Sequence, residues 1–357
     1  MKKTLIAVAA LAATGAFAQV SVYGRLDVGY ANTKTEVNGV TTKANGVQSH
    51  NSASSMWGIQ GTEDLGGGLK ANFKLEQDVF PANGNVGNSG ALGGAAGSAA
   101  FNRTSLVGLS GNFGRVDLGR DYVPTFKLAA ATDVNGQSRI GSVQLSSVAG
   151  STSPNLIHYS TPNLSGFQVN VAVGNQDTSA SSATGDTTAK TTNITATYMN
   201  GPLMVGVGSG TVKVKTTGAA GNPAFAVNGV TVADPGAEKT SMTIVAGSYD
   251  FGVVKVIGNI INGKWTYAAG DVKANEINVG ATMPMGKVTL IAQVGRNKIE
   301  ETGIAEDWTG TDTILGVNYA LSAKTSLFAK TGTYGKVTGN GDDIKATSTA
   351  VGIRTVF

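Results

Sequence analysis

The chain of 357 residues contains no cysteine. Disulfides, zinc thiolates and thiol catalysis are therefore excluded. Only two histidines occur, His50 and His158, far apart in sequence. With no Cys and two distant His, a metal site is not expected. A Ser–His–Asp hydrolase would need one of these histidines beside a reactive serine, and neither neighbourhood suggests it. Proline is scarce, 8 residues, which excludes collagen-like and proline-rich linker readings. Beyond the first residues no apolar run approaches the roughly 18 needed for a membrane-spanning helix. Charge of one sign is missing too: 27 basic residues face 23 acidic ones, without a basic run of the kind that binds nucleic acid.

Two further patterns carry little. Gly258–Lys264 matches most of a phosphate-binding loop, but Trp265 stands where Ser or Thr belongs. Asp133 and Asp234 lie in loops without calcium-ligand spacing. No cofactor is expected, and the chain is not read as an enzyme.

What is present is glycine, 50 residues, about twice the usual share, and period-two alternation. Residues 1–18 carry a basic start (Lys2, Lys3), a short apolar core and Ala16-Phe17-Ala18. Those three parts in order predict a cleaved secretory signal, with a mature barrel over 19–357. Loss of Lys2 and Lys3 leaves 25 basic against 23 acidic residues.

From Gln19 onward, short alternating segments follow one another. In Leu69–Asp78, Leu69, Ala71, Phe73 and Leu75 point one way while Lys70, Asn72, Lys74 and Glu76 point the other. The segments number sixteen, joined by seven short turns and eight long polar loops in alternation. In an antiparallel meander this puts every long loop at one end and every tight turn at the other. The expectation is an all-β fold, a 16-stranded antiparallel transmembrane β-barrel with long extracellular loops and short periplasmic turns. Lipid covers the thin apolar face, and closure leaves no unpaired edge in hydrocarbon. The location implied is the bacterial outer membrane. At the C-terminus, Val351, Ile353, Thr355 and Phe357 share the lipid face.

Period two places Arg25, Asp27, Lys70, Lys74, Glu76, Arg103, His158 and Arg354 on the inward face. His50 is expected in a solvated loop. The interruption at 120–153 is about thirty residues, a length that calls for a function. Folded into the barrel, it would bring Asp121, Lys127, Asp133 and Arg139 against the wall and narrow the lumen.

With these residues in view, the chain resembles the trimeric general porins of Gram-negative outer membranes, in the betaproteobacterial and neisserial branch. The resemblance rests on Ser21-Val-Tyr-Gly-Arg-Leu-Asp27, on Trp57-Gly-Ile-Gln-Gly-Thr-Glu-Asp-Leu-Gly-Gly-Gly-Leu-Lys70 and on Val107-Gly-Leu-Ser-Gly-Asn-Phe-Gly-Arg-Val-Asp-Leu-Gly-Arg120. It also rests on Tyr159-Ser-Thr-Pro-Asn-Leu-Ser-Gly166, Gly352-Ile-Arg354 and the terminal Phe357. It implies a homotrimer surrounded by lipid and lipopolysaccharide, an inward third loop, and passive diffusion of small hydrophilic solutes and ions. In anion-preferring relatives an arginine cluster faces that loop. Arg103 matches one such arginine, and Arg139 is an unaligned candidate for a second. Met56 and Gln60 stand where relatives often carry Arg, so the preference expected is a weak one. The alternatives are a substrate-selective anion or phosphate channel, and a barrel serving as a surface anchor or adhesin.

Overall fold

A computed structural model describes residues 19–87, 100–138, 140, 144–178, 187–216, 225–227, 230–232, 237–268, 270–302, 307–339 and 342–357. The expected signal at 1–18 and Arg139 lie outside the described residues.

Twenty strand segments form. Sixteen are staves of one closed antiparallel barrel. The first half comprises β1 (Gln19–Val37), β3 (Met56–Gly66), β4 (Leu69–Phe80), β6 (Thr104–Gly111), β7 (Gly114–Tyr122), β8 (Thr152–Ser160), β9 (Phe167–Thr178) and β10 (Thr187–Asn200). The second half comprises β11 (Leu203–Thr216), β14 (Lys239–Asp250), β15 (Lys255–Tyr267), β16 (Gly270–Met285), β17 (Val288–Glu301), β18 (Trp308–Ala320), β19 (Thr325–Gly339) and β20 (Asp342–Val356). Each stave pairs with the next, and β1 closes the ring on β20 from Arg25↔Val356 to Val37↔Ile344. The other four segments lie in loops: β2 (Val40–Ser49) forms a hairpin with the upper part of β1, β5 (Asn85–Gly87) lies beside β4, and β12 (Phe225–Val227) pairs β13 (Val230–Val232).

The lipid face is built as the alternation requires. Val107, Leu118, Ile157, Val207, Val245, Ile260, Ile277, Leu315 and Val351 are all exposed on the outside. Seven tight turns sit at one end. The β3–β4 turn uses Gly66, Gly67 and Gly68 at φ +84°, +62° and +82°, a left-handed run that only glycine adopts without strain.

The other end differs from expectation at several connections. Between β15 and β16, and between β19 and β20, the expected long loops are strand almost throughout, joined across 268–269 and 340–341. Strand β16 has 16 residues, whereas a tilted stave needs only about 9–11 to cross hydrocarbon. The excess stands in water. The outward residues of this hairpin, Asn262 and Lys264 of β15 and Asn275 of β16, are polar, so the hydropathy alternation fades while the backbone stays extended. The predicted loop 32–53 is likewise mostly strand, the upper part of β1 with β2.

The interruption at 120–153 is also shorter than expected, because β7 runs to Tyr122 and β8 begins at Thr152. Its interior carries α1 (Pro124–Ala131) and a 3-10 turn at Gln144–Ser147. Pro124 at the first helical position explains where α1 starts. This segment folds inside the barrel. Leu128, Ala129, Leu145 and Val148 pack on inward-facing Met242, Ile244, Ile261 and Trp265 of β14 and β15. Ile140 packs on Ala31, Phe328 and Ala350 of β1, β19 and β20.

Candidate functional site

Polar tethers fix the described residues of this inner loop at several points. Asn193 on β10 accepts the Thr125 N–H at 2.8 Å, Asn259 on β15 donates to Thr132 Oγ1 at 3.0 Å, and Gln293 on β17 accepts the Val134 N–H at 3.1 Å. Glu276 on β16 accepts the Leu145 N–H at 2.6 Å, and Lys330 on β19 donates to the Asn135 side chain. The loop thus covers the inside of β10, β11, β14–β17 and β19. The free lumen is left against β1, β3, β4 and β6–β8, where a cavity of about 660 Å³ is lined by Lys74, Glu76, Arg115, Asp117, Asp121 and Lys127 among others.

Register shows which charges share this free wall. On β4, Lys70, Lys74 and Glu76 face inward opposite Ser110, Leu106 and Thr104 of β6. On β1, Arg25 lies opposite Met56 of β3, and Asp27 opposite Arg354 of β20. Met56 in turn lies opposite Asp78 of β4. Arg354, Asp27, Arg25, Met56, Asp78 and Arg103 therefore form one belt across four neighbouring staves. Arg25 lies in the field of both Arg103 and Arg354.

Arg103 reaches the belt by a different route from the one its sequence position suggests. Strand β6 begins at Thr104, which takes the inward position itself. Arg103 precedes the strand, donates its N–H to Glu76 O at 3.2 Å and swings its guanidinium to Asp78 Oδ1 at 2.6 Å. The same guanidinium lies 5.3 Å from the centre of the Tyr122 ring, in cation–π range.

Other expected positions serve the scaffold. Asp27 is wholly buried; its Oδ1 accepts the Asn51 N–H at 2.8 Å and the Ser52 N–H at 3.2 Å. Arg25 Nε donates to Ser54 O at 2.8 Å. These bonds fold 50–55 over the rim, where Asn51 O accepts from Ser138 of the inner loop at 3.4 Å. Asp133 is buried and accepts the Asn135 and Gln137 N–H groups at 2.8 and 3.1 Å, shaping the loop tip. Asp121 lies at the end of β7 and binds Lys127 of α1 at 2.7 Å and His158 of β8 at 3.3 Å. His158 is inward, as expected. His50 departs from its expected solvated state: its Nε2 meets Val79 O at 2.7 Å and its ring stacks on Phe80 at 4.4 Å.

Sequence reasoning missed Asp78, Lys330 and the pair Arg115–Asp117, which closes at 2.6 Å. Lys330 and Arg115 sit in phase with inward neighbours, so strict period two would have found both.

One regularity links the lysine and arginine ion pairs of the free wall. In each, the cation is the more exposed partner: 35% against 7% for Lys74–Glu76, 12% against 0% for Arg103–Asp78, 39% against 9% for Arg115–Asp117 and 45% against 10% for Lys127–Asp121. The carboxylates sit behind and the positive ends face the water of the lumen.

A family model described as Gram-negative porin matches residues 4–342. Outer membrane porin protein 32 of Delftia acidovorans is 32% identical over 92% of this chain and 88% of its own length. An outer-membrane porin of Bordetella pertussis is 30% identical over the full length of both chains. Among solved structures, an anion-selective porin from Comamonas acidovorans superposes with a TM-score of 0.74 at 27% identity, covering 96% of this chain and 100% of that one. Barrel closure, lipid-facing exterior, inward loop and sequence likeness agree, and the chain belongs to the family of Gram-negative porins, the passive channels of the outer membrane.

Proposed function

We propose that this porin is a general, water-filled pore with a weak preference for anions, and that it carries no catalysis. The observation behind the preference is the orientation of the ion pairs on the free wall, cations toward water and carboxylates behind. A passing anion meets the positive end of each pair at closer range, and Coulomb energy falls with distance. Arg25 and Arg354 add two cations with no bonded carboxylate among the described residues. The lining groups of this pore are Arg25, Lys70, Lys74, Glu76, Arg103, Asp121, His158 and Arg354, with Asp27 and Asp133 as their supports; Arg139 would join them from the inner loop. The likeness to an anion-selective porin supports the same sign.

The zero-current potential across a planar bilayer in a potassium chloride gradient tests this. The expected sign is that of chloride passing faster than potassium; a clear potassium preference would overturn it. Arg103→Ala should lower the anion preference and also destabilise the barrel, since a buried pair broken on one side costs about 3–5 kcal/mol. Met56→Arg should raise the preference, because the new cation stands on the belt between Arg25 and Asp78. No change in ion ratio with Met56→Arg would remove that rung from the permeation path. Saturable block by one small anion would mark a substrate-selective channel instead, and absence of conductance a surface anchor.

The same proposal makes the native unit a homotrimer in lipid and lipopolysaccharide. Its support is the exposed apolar exterior of the early staves, including Val20, Val22, Val107 and Leu109.

A further inference from the structure

The outer face between β10 and β17 carries charge in an unusual order. Near the loop end, outward-facing Lys190 of β10 lies directly opposite Lys213 of β11, and Lys213 directly opposite Lys239 of β14. Lys264 of β15 lies opposite Lys273 of β16, but Lys273 lies opposite Glu300 of β17, and Arg296 of β17 stands lower, opposite Ile277, so the unrelieved row of like charge is Lys190–Lys213–Lys239. Like charges directly opposite across a ladder repel. Lys190, Lys213, Lys239 and Arg296 form no ion pair among the described residues, and Lys264 binds Asp271 at 2.7 Å.

The height of this row is fixed by what lies below it. On the same outward face the last exposed apolar residues are Ile194, Val207, Val245, Ile260, Ile277 and Val294. Between them and the lysines stand Thr, Ser and Asn side chains. Four to six residues of extended chain at the tilt of a barrel stave lift the lysines about 10–15 Å above the apolar band, and their stems reach back toward it. That is the headgroup layer of the external leaflet. Arg296, two residues past Val294, stays at the edge of the band. The arc is local. On the adjoining outer face, β18 presents Thr309, Thr311 and Thr313, and β1 carries the self-compensated pair Lys34–Glu36 at 3.0 Å.

We propose that the arc Lys190–Lys213–Lys239 is a docking strip for phosphate-bearing lipid headgroups of the external leaflet. A headgroup with two or more phosphates places negative charge between lysines that otherwise repel, while its acyl chains lie on Ile194, Val207 and Val245 below. This deepens the lipid partnership stated above and rests on it, but is independent of ion selectivity, because none of these side chains faces the lumen.

Native mass spectrometry of the folded barrel in detergent tests it, with bisphosphorylated lipid A as probe. A gain of about fivefold in affinity per cation is expected at a charged headgroup. Lys190→Gln/Lys213→Gln/Lys239→Gln should therefore weaken binding about a hundredfold, and Lys213→Gln alone about fivefold. Lys34→Gln/Lys345→Gln, at the lysine paired with Glu36 and the β20 lysine opposite Glu36, should leave it unchanged, and dephosphorylated lipid A should bind the wild type as weakly as lipid A binds the triple variant. Equal binding by the triple variant overturns the strip. Displacement of lipid A by equimolar inorganic phosphate overturns the lipid assignment in favour of a free-anion site. No binding to wild type overturns both strip and lipid partnership. Conductance in the same preparations shows that each variant is folded.

Discussion

Replacing Arg25 and Arg354 together by glutamine should carry the zero-current potential from the anion side to zero or beyond. Both arginines are part-exposed on the free wall, on neighbouring β1 and β20. The one carboxylate opposite Arg354, Asp27, is wholly buried and spends Oδ1 on backbone N–H groups of Asn51 and Ser52. The two positive charges therefore act on the lumen at nearly full strength. A unit charge about 7 Å from an ion changes its energy by about 0.6 kcal/mol in water, which is about threefold in local concentration, in opposite senses for chloride and potassium. Removal of both should shift the chloride-to-potassium ratio by at least about tenfold at low salt, and by less as ionic strength shortens the screening length. Recordings at about 0.1 M and 1 M salt would check both the shift and its decay. An unchanged ratio at low salt would place both arginines away from the ion path.

That estimate depends on distinguishing a charge from an exposed charge, and the sequence showed only the first. Period two put Lys70, Lys74 and Glu76 on one face because the turn at Gly66–Gly68 fixes the register of β4, and a slip of one residue would turn Leu75 into water. The same logic read β20 correctly, with Phe357 outside and Arg354 inside. It does not reach contacts made by chain outside the ladder. Arg103 precedes β6 and reaches inward by a bend, and Asp27, inward on β1, is spent on the backbone of Asn51 and Ser52. Neither contact has a period. The extended hairpins β15–β16 and β19–β20 were missed for the opposite reason: their period persists in the backbone after the contrast between lipid and lumen has ended.

The position of the inner loop left a trace in the sequence that period two alone does not read. Strands β14 and β15 are apolar on both faces: Val245 and Ile260 outside, Met242, Ile244, Ile261 and Trp265 inside. A lumen filled with water has no use for that inner surface. Something apolar from elsewhere in the chain has to cover it, and of the long interruptions the one carrying Leu128, Leu145 and Val148 does. The inner wall even leaves room for it. A Cβ added to Gly206 would stand 2.8 Å from Leu128 Cδ1, and one added to Gly280 would stand 2.6 Å from Val134 Cγ1.

Leu128→Ala with Leu145→Ala should loosen this seat. Both side chains are nearly fully buried against β14 and β15, and truncation of a buried leucine costs about 2–5 kcal/mol. The polar tethers at Thr125, Thr132, Val134 and Leu145 remain, but each net hydrogen bond contributes only about 0.5–1.5 kcal/mol, so the attached and detached states of the loop come within a few kcal/mol. The barrel itself should hold, since its ladders do not pass through the loop. Single-channel recording should then show a steady open level replaced by flicker between a wider state and partly closed ones, at unchanged heat resistance of the barrel in detergent. A trace as quiet as that of the unaltered protein would show that the polar tethers suffice, and that the apolar seat on β14 and β15 contributes little to holding the loop in place.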